Sequence, residues 1–96
     1  MKKENILSIL SQYKKEHLKD YGISQIGLFG SIAKGTATDS SDVDIVVQLE
    51  RPNLFLLSTI KQDLEEKFKA HVDIVRLREK MNKFLKEQIT NEAIYV

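Results

Sequence analysis

The chain has 96 residues, 42% of them apolar and 30% charged, and a net charge of +1 from 15 basic and 14 acidic side chains. That length suits a single domain over 1–96 with a modest core, and the charge balance argues against a dedicated nucleic-acid binder. The lack of cysteine removes disulfides and thiolate metal sites; no apolar run reaches membrane-spanning length, and an N-terminus carrying Glu4, Ser8, Ser11 and Gln12 makes a poor signal peptide, so a cytoplasmic location is expected.

Ile6, Leu7, Leu10, Tyr13, His17 and Leu18 recur at three- and four-residue spacing. They predict an amphipathic helix over about 4–20, stopped at Gly22. Ile23 to Phe29, with Ile26 and Leu28 alternating, predicts a buried strand. Gly30-Ser31 ends it, a short helical turn over 32–34 is stopped by Gly35, and 36–41 read as a loop. Val43 to Leu49 predicts a second strand. Pro52 and Asn53 break the chain, with Asn53 as N-cap, and Leu57, Ile60, Leu64 and Phe68 predict a helix over 54–69. Val72 to Leu77 reads as a third strand, Met81, Leu85 and Ile89 as part of a third long helix, and Ala93 to Val96 as a short edge strand. The expected fold class is α/β (α+β): a small mixed sheet of three to four strands with helices on one face, containing a strand–helix–strand crossover.

The chemistry concentrates in GSIAKGTATDSSDVD, residues 30–44. Residues i and i+2 of a strand share a face, so Asp42 and Asp44 project side by side at the mouth of an apolar strand. Like charges so placed repel, and a divalent cation removes the conflict. Oxygen donors favour Mg²⁺, with Mn²⁺ as the second choice. Asp73, inside the third strand, stands beside the pair if the second and third strands are neighbours. Three carboxylates can hold two ions and clamp an in-line displacement at phosphorus, and the third can accept a proton from the attacking hydroxyl. Gly30 lets backbone approach a phosphate, Ser31 offers a hydroxyl and an N–H, and Lys34 adds charge.

Taken singly, an Asp-x-Asp is most often a solvated strand edge, Gly-Ser a turn and Lys34 a surface lysine; their combination in this order favours function. His17 and His71 lack zinc-ligand spacing, and His71 reads as a surface or supporting residue rather than a ligand. Tyr13, Tyr21 and Tyr95 read as packing residues. The basic residues between Arg76 and Lys86 read as a solvated helix face.

The Gly-Ser pair, ten residues, then Asp-Val-Asp resembles the G-S-x(n)-D-x-D pattern of the DNA polymerase β-like nucleotidyltransferases. Asp73 stands at the position of the third acid. The stretch LFGSIAKGTATDSSDVDIVV is similar to the minimal nucleotidyltransferases (MNT), and the likeness covers nearly the whole chain. It implies the polymerase β-like fold, with Gly30, Ser31 and, less directly, Lys34 on the triphosphate of ATP or another nucleotide. Lys34 stands where many relatives carry arginine. It also implies Asp42, Asp44 and Asp73 as metal ligands and catalytic acids. A small helical HEPN-domain toxin is the implied partner, with AMP transferred to one of its tyrosines so that this chain acts as antitoxin. Two other readings stay open: a binding module that neutralises its partner by contact alone, and a small-molecule nucleotidyltransferase whose acceptor domain is a separate chain.

Overall fold

A computed structural model describes residues 2–96. Four strands, β1 (Ile23–Phe29), β2 (Val43–Leu49), β3 (Val72–Arg76) and β4 (Ile94–Tyr95), form one sheet in the order β3-β2-β1-β4. Four helices accompany it: α1 (Lys3–Glu16), α2 (Gly30–Lys34), α3 (Leu54–Phe68) and α4 (Lys83–Glu92). β1 pairs antiparallel with both β2 and β4, whereas β2 and β3 are parallel, joined through α3. The mixed sheet and its edge strand thus follow the sequence reading.

Alternation along the strands separates two apolar layers. Ile26 and Leu28 of β1, Val43, Ile45 and Val47 of β2 and Val72 of β3 pack with Ile6, Leu10 and Tyr13 of α1 and Ile60, Leu64 and Phe68 of α3. Ile60 and Leu64 are fully buried, and side chains of that size each contribute about 1.5–3 kcal/mol. The expected helical cover is this α1/α3 layer. α4 adds a smaller layer on the other side, where Ile89 meets Phe29 and Val46, with Val75, Met81 and Leu85 around them. Among the described residues, no helix is long and apolar enough to cross a membrane.

Local chemistry sets the boundaries. α1 ends at Glu16, four residues before the expected helix end at 20, with His17 as its C-cap. Asp20 accepts from the Tyr21 N–H at 2.9 Å and lies 3.1 Å from His17 Nδ1, so a local side-chain turn replaces the last helical turn. α2 starts at Gly30, two residues earlier than expected, and Gly35 closes it in the left-handed region at φ +80°. Asn53 caps α3 as expected, accepting from the Leu56 N–H at 2.7 Å. Asn82 does the same for α4 at 3.0 Å. β3 ends one residue before the expected Leu77, whose N–H still reaches Val47 O at 2.8 Å.

Candidate active site

The parallel register pairs Val43 with Val72, Asp44 with Asp73 and Ile45 with Ile74. Paired residues on neighbouring strands share a face. The register that turns Val43 and Val72 into the α1/α3 core therefore turns Asp44 and Asp73 to the opposite face. Asp42, just ahead of β2, joins them. One carboxylate oxygen each from Asp42 and Asp73 and one ring nitrogen of His71 all lie within 4.8 Å of one another.

Asp44 sits deeper than its neighbours and lies against Gly30. Gly30 has φ +80°, and a Cβ there would overlap an Asp44 carboxylate oxygen. The glycine is needed twice, for its backbone conformation and for this close approach. Desolvation, then the charges of Asp73, Asp42 and Glu92, raise the Asp44 carboxyl above its ordinary value. Every influence on Asp44 acts in that one direction, as expected for an acid lacking its counter-charge.

α2 carries the other expected residues. Ser31, in its first turn, is half-buried, and its carbonyl accepts from the Thr36 N–H at 2.9 Å. Lys34 Nζ lies 3.4 Å from Glu92 Oε2 at the end of α4. The other Glu92 oxygen accepts from the Gly30 N–H at 3.1 Å and from Gln88 Nε2 at 3.2 Å. Desolvation works against the Glu92 anion, yet these bonds from Gln88, Lys34 and Gly30 hold its carboxyl below the ordinary range. Glu92 is absent from the sequence reading, and nothing local could have revealed it, since it lies 62 residues from Gly30.

His71 is placed more tightly than its sequence suggested. Its Nδ1 lies 3.1 Å from Glu65 Oε2 and its Nε2 4.0 Å from Asp73 Oδ1. Of the tyrosines, Tyr13 is 1% exposed and packs in the core, as expected. The donor set of carboxylate oxygens around an acid pushed upward by like charge fits a divalent cation.

Residues 10–96 match the model of the nucleotidyltransferase domain family. The protein adenylyltransferase MntA of Thermococcus cleftensis is 35% identical over 94 residues, covering 97% of this chain and 94% of that one. A solved structure described as a minimal nucleotidyltransferase is 32% identical, with a TM-score of 0.77 over 98% of this chain and 95% of that one. A structure of a tri-AMPylated HEPN toxin of Shewanella oneidensis in complex with MNT antitoxin shares the fold at 19% identity. Its TM-score is 0.71 over 96% of this chain and 69% of that one. With the family model matched over residues 10–96 and the Thermococcus relative 35% identical along nearly its whole length, the chain belongs to the nucleotidyltransferase domain family.

Proposed function

We propose that this chain is a single-domain, Mg²⁺-dependent protein adenylyltransferase that moves AMP from ATP to a tyrosine hydroxyl of a small helical HEPN-type toxin in the cytoplasm, and so acts as its antitoxin. The observation that carries the reading is the Asp44–Asp73 register, which gathers three acids beside the Gly30-Ser31 turn. The named activity of the Thermococcus relative and the AMPylated toxin in the Shewanella complex support the acceptor class.

Asp42, Asp44 and Asp73 would hold two Mg²⁺ ions, which supply neutralisation of the phosphate charge and a lower cost for deprotonating the acceptor hydroxyl. The Ser31 hydroxyl and N–H and the Lys34 ammonium bind the triphosphate. Gly30 allows the close approach. The tyrosine oxygen attacks the α-phosphorus, forming one P–O bond as the bond to pyrophosphate breaks. Asp73, with a half-exposed side chain at the strand mouth, accepts the phenolic proton. Phosphoryl-group transfer rests mainly on positioning and charge, so loss of Asp73 lowers rate far more than binding.

The test is intact-mass spectrometry of the partner after incubation with ATP and Mg²⁺. The wild-type chain adds AMP masses; Asp73→Asn still co-purifies with the partner and adds none. Full neutralisation of toxicity by the wild-type chain with an unmodified partner would leave the contact-only antitoxin. Transfer to a small alcohol instead of the partner would leave the small-molecule enzyme.

A further inference from the structure

His71 belongs to the metal centre as a ligand, not to its surroundings: we propose that its Nε2 binds the ion held by Asp42 and Asp73, giving this chain a mixed nitrogen–oxygen site that prefers Mn²⁺ to Mg²⁺. The proposal rests on the nucleotidyltransferase reading for the ion's role, and on geometry for the ligand.

Three features of the structure carry it. The candidate donor atoms of Asp42, His71 and Asp73 lie within 4.8 Å of one another. An octahedral ion bonded at about 2.0–2.1 Å keeps its ligands within about 4.2 Å, a gap that small rotations of three incompletely buried side chains close. The ring is also oriented from behind. Glu65, on α3 and outside the donor group, lies 3.1 Å from Nδ1, and the same oxygen accepts from the Val72 N–H at 3.0 Å. A carboxylate this close to Nδ1 favours the tautomer protonated there, which leaves the lone pair on Nε2, the nitrogen 4.0 Å from Asp73. A carboxylate behind an imidazole is the usual support of a metal-ligating histidine. Finally, the element order enforces the placement: His71 stands two residues before Asp73, on the same face, and its carbonyl accepts from the Val43 N–H at 2.9 Å. Replacing one oxygen ligand by imidazole disfavours Mg²⁺ and favours a transition ion.

The experiment uses the full chain without nucleotide and Mn²⁺ as probe. Pulsed electron paramagnetic resonance of bound Mn²⁺ reads coupling to a ¹⁴N nucleus, and competition titration reads the Mn²⁺/Mg²⁺ affinity ratio. Expected is a nitrogen coupling in the wild-type chain that disappears in His71→Gln, with a fall of about tenfold or more in Mn²⁺ affinity and a much smaller change for Mg²⁺. Glu65→Gln should weaken Mn²⁺ in the same direction by about tenfold, within the range for lost outer partners of a ligand. Bound Mn²⁺ without nitrogen coupling in the wild-type chain, or an unchanged Mn²⁺/Mg²⁺ ratio in His71→Gln, overturns the proposal. The first result needs no variant, so a folding defect cannot obscure it. If nitrogen coupling is absent while Mg²⁺-supported AMP transfer persists, the ligand assignment alone fails; if transfer is absent while the coupling is present, the functional reading alone fails.

Discussion

Two polar clusters in this small protein face opposite fates. Around Tyr13, the buried phenol donates to Asp63 at 2.7 Å, and the His17 and Tyr21 rings stack at 4.1 Å nearby. Burial and then the Asp63 hydrogen bond raise the Tyr13 hydroxyl far above its ordinary value, so it stays a neutral donor. Around Asp44, burial and three acids push a carboxyl up with nothing offsetting them. The first cluster is closed by its own hydrogen bonds and ties α1 to α3. The second gathers negative charge that nothing in the fold offsets and that a cation would neutralise. A polar group that satisfies itself serves the fold, and one left with unoffset charge is free to serve chemistry.

The sharpest way to break this contrast is at Gly30. Gly30→Ala forces a side chain into the left-handed region and onto the Asp44 carboxylate. A loss of about 1–3 kcal/mol is expected from the backbone strain alone, together with loss of any stabilisation that Mg²⁺ and ATP give the wild-type chain; chemical denaturation and a melting series measure both. At the closed cluster, Asp63→Ala leaves the Tyr13 hydroxyl without its acceptor. Equilibrium unfolding should show a cost of about 1–3 kcal/mol, with the response to Mg²⁺ and ATP the same as in the wild-type chain. Restoring most of that loss with Tyr13→Phe in the same chain would show that the unpaired hydroxyl, not lost packing, is responsible.

Asp44→Asn should do the opposite of Asp63→Ala and stabilise the chain without metal. The sign follows from the raised native carboxyl. Above its folded value, Asp44 is ionised in both states and its charge is disfavoured in the fold; below its unfolded value, near 3.8, it is neutral in both and the penalty is gone. The gain from Asp44→Asn is therefore full at neutral pH and shrinks to nothing as pH falls through that window. Melting curves from neutral to acid pH measure it, and a gain that is constant with pH would remove charge as the cause. The smallest effect belongs to Glu92→Gln. The amide can still accept from the Gly30 N–H, so only the half-exposed Lys34 pair is lost, and equilibrium unfolding should show little or no change.

What the sequence reveals is what is local or periodic. Asp42 and Asp44 are two apart, Gly30 and Ser31 are adjacent, and Asp73 sits in an unmistakable apolar strand, so the acids and the turn are legible before any coordinates. What it hides is what crosses the chain. Glu92 meets Gly30 only because β4 returns antiparallel to β1. His71 gains its orientation from Glu65, one helical end away, and through-space pairs of that kind leave no periodic trace. The α4 layer is hidden for the same reason: Phe29 and Val46 look like ordinary strand residues until Ile89 covers them. The early end of α1 is hidden because His17 and Leu18 continue its apolar spacing, while the Asp20 side chain overrides it.

The parallel pairing of β2 with β3 makes two core valines as important to the chemistry as the acids. A slip of one residue would exchange faces along the whole of β3, burying Asp73 and exposing Val72. Only three residues, Lys69, Ala70 and His71, link the end of α3 to β3, and Lys69 takes a left-handed conformation at φ 52° to make the turn. An insertion or deletion of a single residue in this link would demand such a slip. The link should therefore tolerate side-chain substitution far better than any change of length, although it is a surface turn of the kind that elsewhere absorbs insertions freely.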